Sequence, residues 1–184
     1  MRMTILLCIG LMAILVRVFS VIRYESVIHE FDPWFNYRTT KYILENGEGL
    51  YGLWNWFDPD SWYPLGRAVG GTVYPGLMST AYIAWYLLHN VLCLPIDIRN
   101  VCVFMGPIFS AFTAFTGYFL TKEITKRSEA GLFASLFIAI VPTYMSRSVA
   151  GSYDNEAVSI WALVHCFYTW VKAANTGSIW WGAQ

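Results

Sequence analysis

The sequence predicts an all-α membrane protein with several membrane-spanning helices, and three observations support that fold class. Of the 184 residues, 57% are hydrophobic and only 13% are charged, whereas soluble domains average about 25% charged residues. The hydrophobic residues fall in long runs, some close to the length that crosses a bilayer. Nine Trp and twelve Tyr suit a long surface at the membrane interface. With zero net charge and no basic tract, the chain is not expected to bind nucleic acid.

The first membrane helix is predicted at residues 4–22, which are apolar except for Arg17. No small-residue cleavage site follows this stretch, so we interpret it as a retained membrane helix rather than a signal peptide. We expect Arg17 to extend its guanidinium toward the membrane interface instead of serving in a site.

Residues 23–98 are predicted to form a long loop outside the membrane. The first part is too polar to cross lipid, and Asp32 and Pro33 are predicted to begin a helix as its N-cap and first helical residue. The Asn-Gly pair at 46–47 is predicted to end that helix. Residues 68–96 have no formal charge, but their Gly, Pro, Asn and aromatic residues suit a segment that lies at the interface.

The remaining membrane helices are predicted near residues 101–120, 130–145 and 157–171, of which the last two are short for a full span. Residues 122–127 contain three basic side chains and are placed in the cytosol by the positive-inside rule. If residues 68–96 do not cross the membrane, Asp32 and Asp154 lie together on the non-cytosolic side. If residues 68–96 do cross, the two acids face opposite aqueous phases. We favour the first arrangement, because only it agrees with the positive-inside rule and permits a shared ion.

Two short acidic motifs lie directly beside apolar runs: Glu30-Phe31-Asp32 and Asp154-Asn155-Glu156. Carboxylates at the rim of a membrane are costly and indicate a function. Asp32, Asp154 and Glu156 can each supply an oxygen ligand, and hard oxygen ligands select Mg²⁺, Mn²⁺ or Ca²⁺. Such an ion would neutralise charge on a leaving phosphate. Arg147 is expected to reach the same region, either to bind a phosphate or to contact one of the ligand acids.

A purely structural interpretation of these residues stays open. Asp32 can serve only as an N-cap, and Asp154 can cap a helix that begins near Ala157. Arg147 can be an interfacial charge without a role in a site. A similar acidic pair at residues 58–60 is interpreted as a turn.

Four stretches of the sequence resemble one family closely: EFDPWFNYRTTKYI, WYPLGRAVGGTVYPGL, IDIRNVCVF and SRSVAGSYDNEAVSI. They are similar to the amino-terminal region of the catalytic subunit of eukaryotic oligosaccharyltransferase, and the similarity extends from about Arg17 to Trp181. This resemblance implies a multi-pass helical bundle of the GT-C glycosyltransferase type with a long first luminal loop that contains interfacial helices. It also implies that residues 1–184 form the amino-terminal part of one transmembrane catalytic domain in the endoplasmic reticulum membrane.

The resemblance further implies transfer of a preassembled oligosaccharide from dolichyl diphosphate to asparagine in Asn-X-Ser/Thr sequences. Asp32, Asp154 and Glu156 are then ligands of Mn²⁺ or Mg²⁺, Asp32 also contacts the acceptor amide, and Arg147 supports activity. The expected partners are the lipid-linked donor, the acceptor polypeptide, other oligosaccharyltransferase subunits and membrane lipid.

The family's WWDYG motif, which recognises the hydroxyl residue of the acceptor sequence, is absent here. We therefore expect the chain to be an amino-terminal fragment that is inactive by itself. Two other functions stay open: a non-catalytic membrane scaffold or transporter fragment, and an enzyme like the protein O-mannosyltransferases that uses a dolichyl-phosphate sugar. The stretch SVAGSYDNE favours oligosaccharyl transfer over the O-mannosyltransferase alternative.

Overall fold

The computed structural model describes residues 1–184 and is mostly helical, as the sequence predicts. The helices are α1 (Arg2–Leu15), α2 (Phe19–Tyr24), α3 (Phe31–Glu45), α4 (Leu50–Trp54), α5 (Pro75–Tyr86), α6 (Ile98–Thr125), α7 (Ser128–Ile140), α8 (Pro142–Ser146), α9 (Glu156–Thr176) and α10 (Ile179–Gly182). A π-helical turn, Leu87–Val91, extends α5. Two short antiparallel strands, β1 (Phe57–Asp58) and β2 (Arg67–Ala68), are the one exception to an all-α fold.

Helix α6 lies at the centre of a bundle and packs against α1, α7 and α9. Most of its length is buried inside the protein. Small residues on α6 let neighbouring segments approach closely, as at other helix interfaces. At Gly106, an added Cβ would lie 2.7 Å from the carbonyl oxygen of Ser148. A side chain at this position would therefore push α6 away from the segment that precedes α9.

Three helical segments are long and apolar enough to cross a membrane: Arg2–Tyr24, Ile98–Thr125 and Glu156–Thr176. The last continues to Thr176, so the expectation that it is short was wrong. The helix predicted at residues 130–145 is interrupted, because α7 ends at Ile140 and α8 begins at Pro142. Proline disfavours helical backbone in the preceding residue, and Val141 is accordingly extended.

The start of α1 and the end of α9 lie at the same end of the bundle as the connection between α6 and α7, which we term the connection end. Here Arg2 lies 2.7 Å from Glu129. Lys172 of α9 lies 2.7 Å from Glu123 of α6. The helices α1, α6, α7 and α9 therefore alternate in direction along the chain.

The opposite end of the bundle, which we term the cavity end because a polar cavity lies there, contains both the start and the finish of the long loop, residues 23–98. The Ser26 hydroxyl donates to the Asn100 side chain over 2.8 Å, so the chain leaves α2 and enters α6 at the same end. This contact excludes an odd number of bundle crossings between the two residues. Residues 68–96 themselves are not one continuous helix, since α5 has 12 residues and follows β2 and a turn.

Arg17 is fully buried, contrary to the expectation that it reaches the interface. Its Nε donates to the Ser148 hydroxyl over 2.7 Å. Its Nη1 donates to the carbonyl oxygens of Ala13 (2.9 Å) and Ala139 (2.8 Å). These carbonyls lie in the last turns of α1 and α7, where helical backbone has no donor of its own to offer. Arg17 is thus held inside the bundle by helix ends that need a donor.

Candidate functional site

The segment at residues 148–154, which leads into the second acidic motif, is fixed by backbone hydrogen bonds to two other parts of the chain. The N–H of Ala150 donates to the carbonyl of Arg17 over 2.9 Å, and the N–H of Gly151 donates to the carbonyl of Val103 over 3.1 Å. The first bond joins the segment to the turn that follows α1, and the second joins it to α6. The position of the second motif is therefore set by the bundle itself.

Gly151 also connects the two acidic motifs. Its carbonyl accepts a hydrogen bond from the N–H of His29 over 3.0 Å, one residue before Glu30. Its φ of 95° lies in the left-handed region that favours glycine. An added Cβ would also collide with the carbonyl oxygen of Val27. Only glycine therefore lets the segment before α3 lie against the segment before α9.

Helix α3 contacts the second motif through two polar side chains. The Asn36 amide donates to the Tyr153 carbonyl over 3.2 Å and to the Asp154 carboxylate over 3.3 Å. The Tyr153 hydroxyl is 2.9 Å from the Thr40 hydroxyl. Burial raises the pKa of the Tyr153 phenol well above its usual value, so this buried contact stays neutral. Asp32 lies one turn before Asn36 on α3, on the same side of the helix.

Asp32 and Asp154 line one cavity of about 230 Å³ at the cavity end of the bundle. The other lining residues are Phe35, Asn36, Arg67, Thr72, Val73, Tyr74 and Asn155. They come from α3, from the residues around β2 and from the segment before α9. The structure therefore brings one acid from each predicted motif to the same polar cavity.

Glu156 and Arg147 do not line this cavity. The Glu156 carboxylate lies 4.0 Å from the Arg147 guanidinium, and the two side chains are 37% and 61% exposed. No group of three or more His, Cys, Asp or Glu side chains is close enough to hold a metal ion together. The structure therefore assembles two of the three predicted acids and pairs the third with the predicted arginine.

The N-cap role predicted for Asp32 was wrong, and the alternative N-cap role of Asp154 is not observed either. Helix α3 begins before Asp32, and Glu30 is its N-cap, so that Asp32 is the second helical residue and makes no capping bond. Pro33 is the third helical residue rather than the first, and it still lies in the first turn, where a backbone N–H has no partner within the helix. Asn155 is the N-cap of α9, and Asp154 accepts a hydrogen bond from the N–H of Asn155 over 2.7 Å rather than from the helix.

The acidic pair at residues 58–60 forms a turn, as predicted, but the sequence did not indicate that Asp58 is buried. The Asp58 side chain is 1% exposed and accepts two hydrogen bonds of 2.8 Å from Arg38 of α3. Burial acts to raise the pKa of Asp58, but hydrogen bonds from Arg38, Ser61 and the backbone outweigh it and lower the pKa. Strands β1 and β2 form a two-stranded antiparallel ribbon, the β-ribbon, in which Asp58 is opposite Arg67. The ion pair between Arg38 and Asp58 therefore also holds Arg67 near α3.

Sequence reasoning missed Arg67 and Asn36 as residues of the site. Asn36 is one helical turn after Asp32, and that spacing is a signal that the sequence does contain. Arg67 is 35 residues beyond Asp32 in a turn-rich segment. Only the folding of the β-ribbon over α3 brings its guanidinium to the cavity.

Comparison with known proteins gives consistent matches. A family model described as oligosaccharyl transferase STT3, N-terminal, matches residues 1–184. The chain is 58% identical over 174 residues to the dolichyl-diphosphooligosaccharide–protein glycosyltransferase subunit STT3A of Oryza sativa, covering 95% of this chain and 22% of the relative. It is 58% identical over 179 residues to subunit STT3 of Saccharomyces cerevisiae, covering 97% of this chain and 24% of the relative. The chain therefore spans about a quarter of the length of these relatives.

Among solved structures, the chain is similar to the archaeal oligosaccharyltransferase AglB from Archaeoglobus fulgidus, determined in complex with an inhibitory peptide and a dolichol-phosphate. The TM-score is 0.76 at 24% sequence identity, and the match covers 95% of this chain and 20% of the archaeal chain. At this level of identity the likeness establishes the fold.

Proposed function

Because this chain belongs to the STT3 oligosaccharyl transferase family, we propose that the protein transfers a preassembled oligosaccharide from dolichyl diphosphate to asparagine in Asn-X-Ser/Thr sequences. The names of its relatives support the donor and the reaction class. Within the chain, the observation that carries the proposal is the polar cavity that Asp32 and Asp154 share. The cavity combines two carboxylates with the guanidinium of Arg67 at the end of a bundle of long apolar helices.

We place the protein in the endoplasmic reticulum membrane as a multi-pass subunit of an oligosaccharyltransferase complex. The three long apolar helices support membrane insertion. Residues 122–127 are assigned to the cytosol and the cavity end to the lumen, in agreement with the positive-inside rule. The Ser26–Asn100 contact supports this assignment, because it leaves both limits of the long loop at the luminal end.

The residues of the cavity fit a divalent cation of the Mg²⁺ or Mn²⁺ type. Asp32 and Asp154 offer carboxylate oxygens, and the asparagine side chains beside them offer neutral oxygens, the donors that such ions prefer. One oxygen of Asp154 accepts from Asn36 and Asn155, whereas the other makes no hydrogen bond within the chain. Glu156 is available as a third ligand, because its exposed pair with Arg147 is weak. A bound cation would stabilise negative charge on the leaving diphosphate.

Asp32 is the residue that we assign to the acceptor amide. The lone pair of an amide nitrogen is delocalised into the carbonyl, so the nitrogen is a poor nucleophile. A carboxylate that accepts a hydrogen bond from the acceptor NH₂ favours a conformation in which that delocalisation is reduced. The nitrogen then attacks the anomeric carbon, a C–N bond forms, the C–O bond to the diphosphate breaks with its electron pair on oxygen, and one N–H proton is released. Attack opposite the leaving group inverts the anomeric configuration.

The test is a chimera in which this chain replaces the matching amino-terminal segment of the Saccharomyces cerevisiae relative. We expect the chimera to glycosylate an Asn-X-Ser/Thr acceptor peptide in a metal-dependent manner. Replacing Asp32→Asn should lower the transfer rate by at least about two orders of magnitude, comparable with the loss of one key electrostatic contact. Expression should not change, because the Asp32 carboxylate caps no helix.

The matched control is Asp97→Asn. Asp97 is the N-cap of α6 and accepts from the N–H of Arg99, and asparagine caps about as well as aspartate. This variant should transfer at close to the unsubstituted rate. Equal rates for Asp32→Asn and the unsubstituted chimera, with the same metal dependence, would exclude Asp32 from the site. A well-expressed chimera that transfers no glycan would favour the scaffold or transporter interpretation.

A further inference from the structure

We propose that Arg67 binds the diphosphate of the lipid-linked donor, an inference that rests on the proposed function. Arg67 is the cationic residue in the lining of the cavity that Asp32 and Asp154 share. Arg147, for which the sequence allowed either phosphate binding or contact with a ligand acid, lies outside this lining and contacts Glu156. The structure therefore offers a different arginine at the place where the leaving group must lie.

The guanidinium of Arg67 is held in place by aromatic rings and by one threonine. It stands 4.6 Å from the ring centroid of Phe35 and 5.0 Å from that of Trp62. Its Nε donates to the Thr72 hydroxyl over 3.0 Å, and its Nη2 donates to the Thr72 carbonyl over 3.3 Å. These contacts orient the group while Nη1 makes no hydrogen bond within the chain. Cation–π contacts stabilise the charge without neutralising it.

No carboxylate lies within ion-pair distance of Arg67, although two aspartates line the same cavity. Three other arginines contrast with it, since Arg2 is paired with Glu129, Arg38 with Asp58 and Arg147 with Glu156. An arginine with oriented and unused N–H groups is suited to phosphate, whose oxygens match the guanidinium fork. The diphosphate is the anionic part of the proposed reactants, whereas the acceptor sequence requires no negative charge.

The experiment compares Arg67→Gln and Arg67→Lys in the Saccharomyces cerevisiae chimera. Equilibrium binding of labelled lipid-linked donor is measured in nanodiscs, together with the apparent KM for donor and for acceptor peptide. Arg67→Gln should weaken donor binding at least about tenfold, which corresponds to about 1.4 kcal/mol. The acceptor KM should stay within about twofold. Arg67→Lys keeps the charge and loses the fork, so its donor affinity should be intermediate.

The matched control is Arg23→Gln. Arg23 also stands over an aromatic ring, that of Tyr24, at 5.3 Å, but it lies outside the cavity. Its replacement should leave donor and acceptor binding unchanged. If Arg67 served only to hold Thr72, both substrates would be affected alike and the midpoint of thermal unfolding would fall.

Three outcomes would overturn the assignment. The first is unchanged donor affinity in Arg67→Gln, whether or not Arg67→Lys is also unchanged. The second is an equal loss of donor and acceptor binding. The third is an effect that appears only in nanodiscs with anionic lipid and disappears in phosphatidylcholine alone, which would show that Arg67 binds a bilayer headgroup. Failure of the proposed function is separate, because it would appear as a lack of transfer in the unsubstituted chimera.

Discussion

Replacing Arg17→Met is expected to destabilise the bundle by about 2–4 kcal/mol, although it removes a buried charge. Three acceptors lose a charged donor: the carbonyls of Ala13 and Ala139 and the hydroxyl of Ser148. Hydrogen bonds to charged groups contribute about 1.5–3 kcal/mol each, but burying a guanidinium costs several kcal/mol. The unpaired Nη2 of Arg17 adds to that cost. The cost of burying the guanidinium therefore offsets most of the stabilisation that the hydrogen bonds of Arg17 provide.

The net loss comes from the acceptors that remain. Ala139 has no other donor for its carbonyl, and an unsatisfied buried carbonyl costs about 1–3 kcal/mol. The carbonyl of Ala13 keeps a long contact of 3.4 Å from Ser110, and Ser148 still donates to Tyr144. These two acceptors add a smaller loss, which gives the range stated above. Arg17→Lys keeps one donor group and should lose less.

The assay uses the single buried cysteine, Cys102, as a reporter. In a version of the chimera without other cysteines, the rate of maleimide labelling under native conditions follows the population of open molecules. A loss of 2–4 kcal/mol corresponds to labelling that is about 30- to 700-fold faster. Arg2→Met is the control, because Arg2 lies in the same apolar segment, Arg2–Tyr24, and forms an exposed ion pair with Glu129. Such pairs contribute at most about 1 kcal/mol, and an Arg17→Met effect no larger than the control would refute the reasoning.

Two further predictions concern the segments that support the cavity. Gly106→Ala should lower the free energy of unfolding by about 1–3 kcal/mol, because the added Cβ collides with the Ser148 backbone. Gly76→Ala is the control, because its Cβ meets nothing within 4 Å. Equal unfolding midpoints for the two variants would contradict the prediction. Arg38→Met should cost about 1–2 kcal/mol at pH 7, because it leaves the buried Asp58 carboxylate without its cation. Since the pKa of Asp58 is lowered, the stabilisation is complete above about pH 4 and is lost as the pH falls through that lowered pKa. The difference in unfolding midpoint between Arg38→Met and the parent should therefore shrink as the pH is lowered below about 4, and a pH-independent difference would argue against the pair.

Local sequence signals indicate the ends of helices where a single residue type determines the backbone conformation. Helix α3 ends at Glu45 with Asn46 as its C-cap, and Gly47 follows with a φ of 74°, as an Asn-Gly pair indicates. The break in the helix predicted at residues 130–145 also had a local signal, Pro142, which that prediction did not use. The start of α3 was harder to predict from sequence. Its N-cap is Glu30 with a φ of 69°, a conformation that is rare outside glycine.

The sequence by itself determined the helical class, the long apolar segments and the family, because low charge, long apolar runs and extended motifs are properties of neighbouring residues. It also identified both acidic motifs. Tertiary structure alone decided which charged groups meet: Arg17 binds helix ends inside the bundle, Arg67 joins the cavity, and Glu156 contacts Arg147. The physical reason is that these partners are set by how α3, the β-ribbon and the segment before α9 pack on α6. A side chain's charge and its local propensity do not specify that packing.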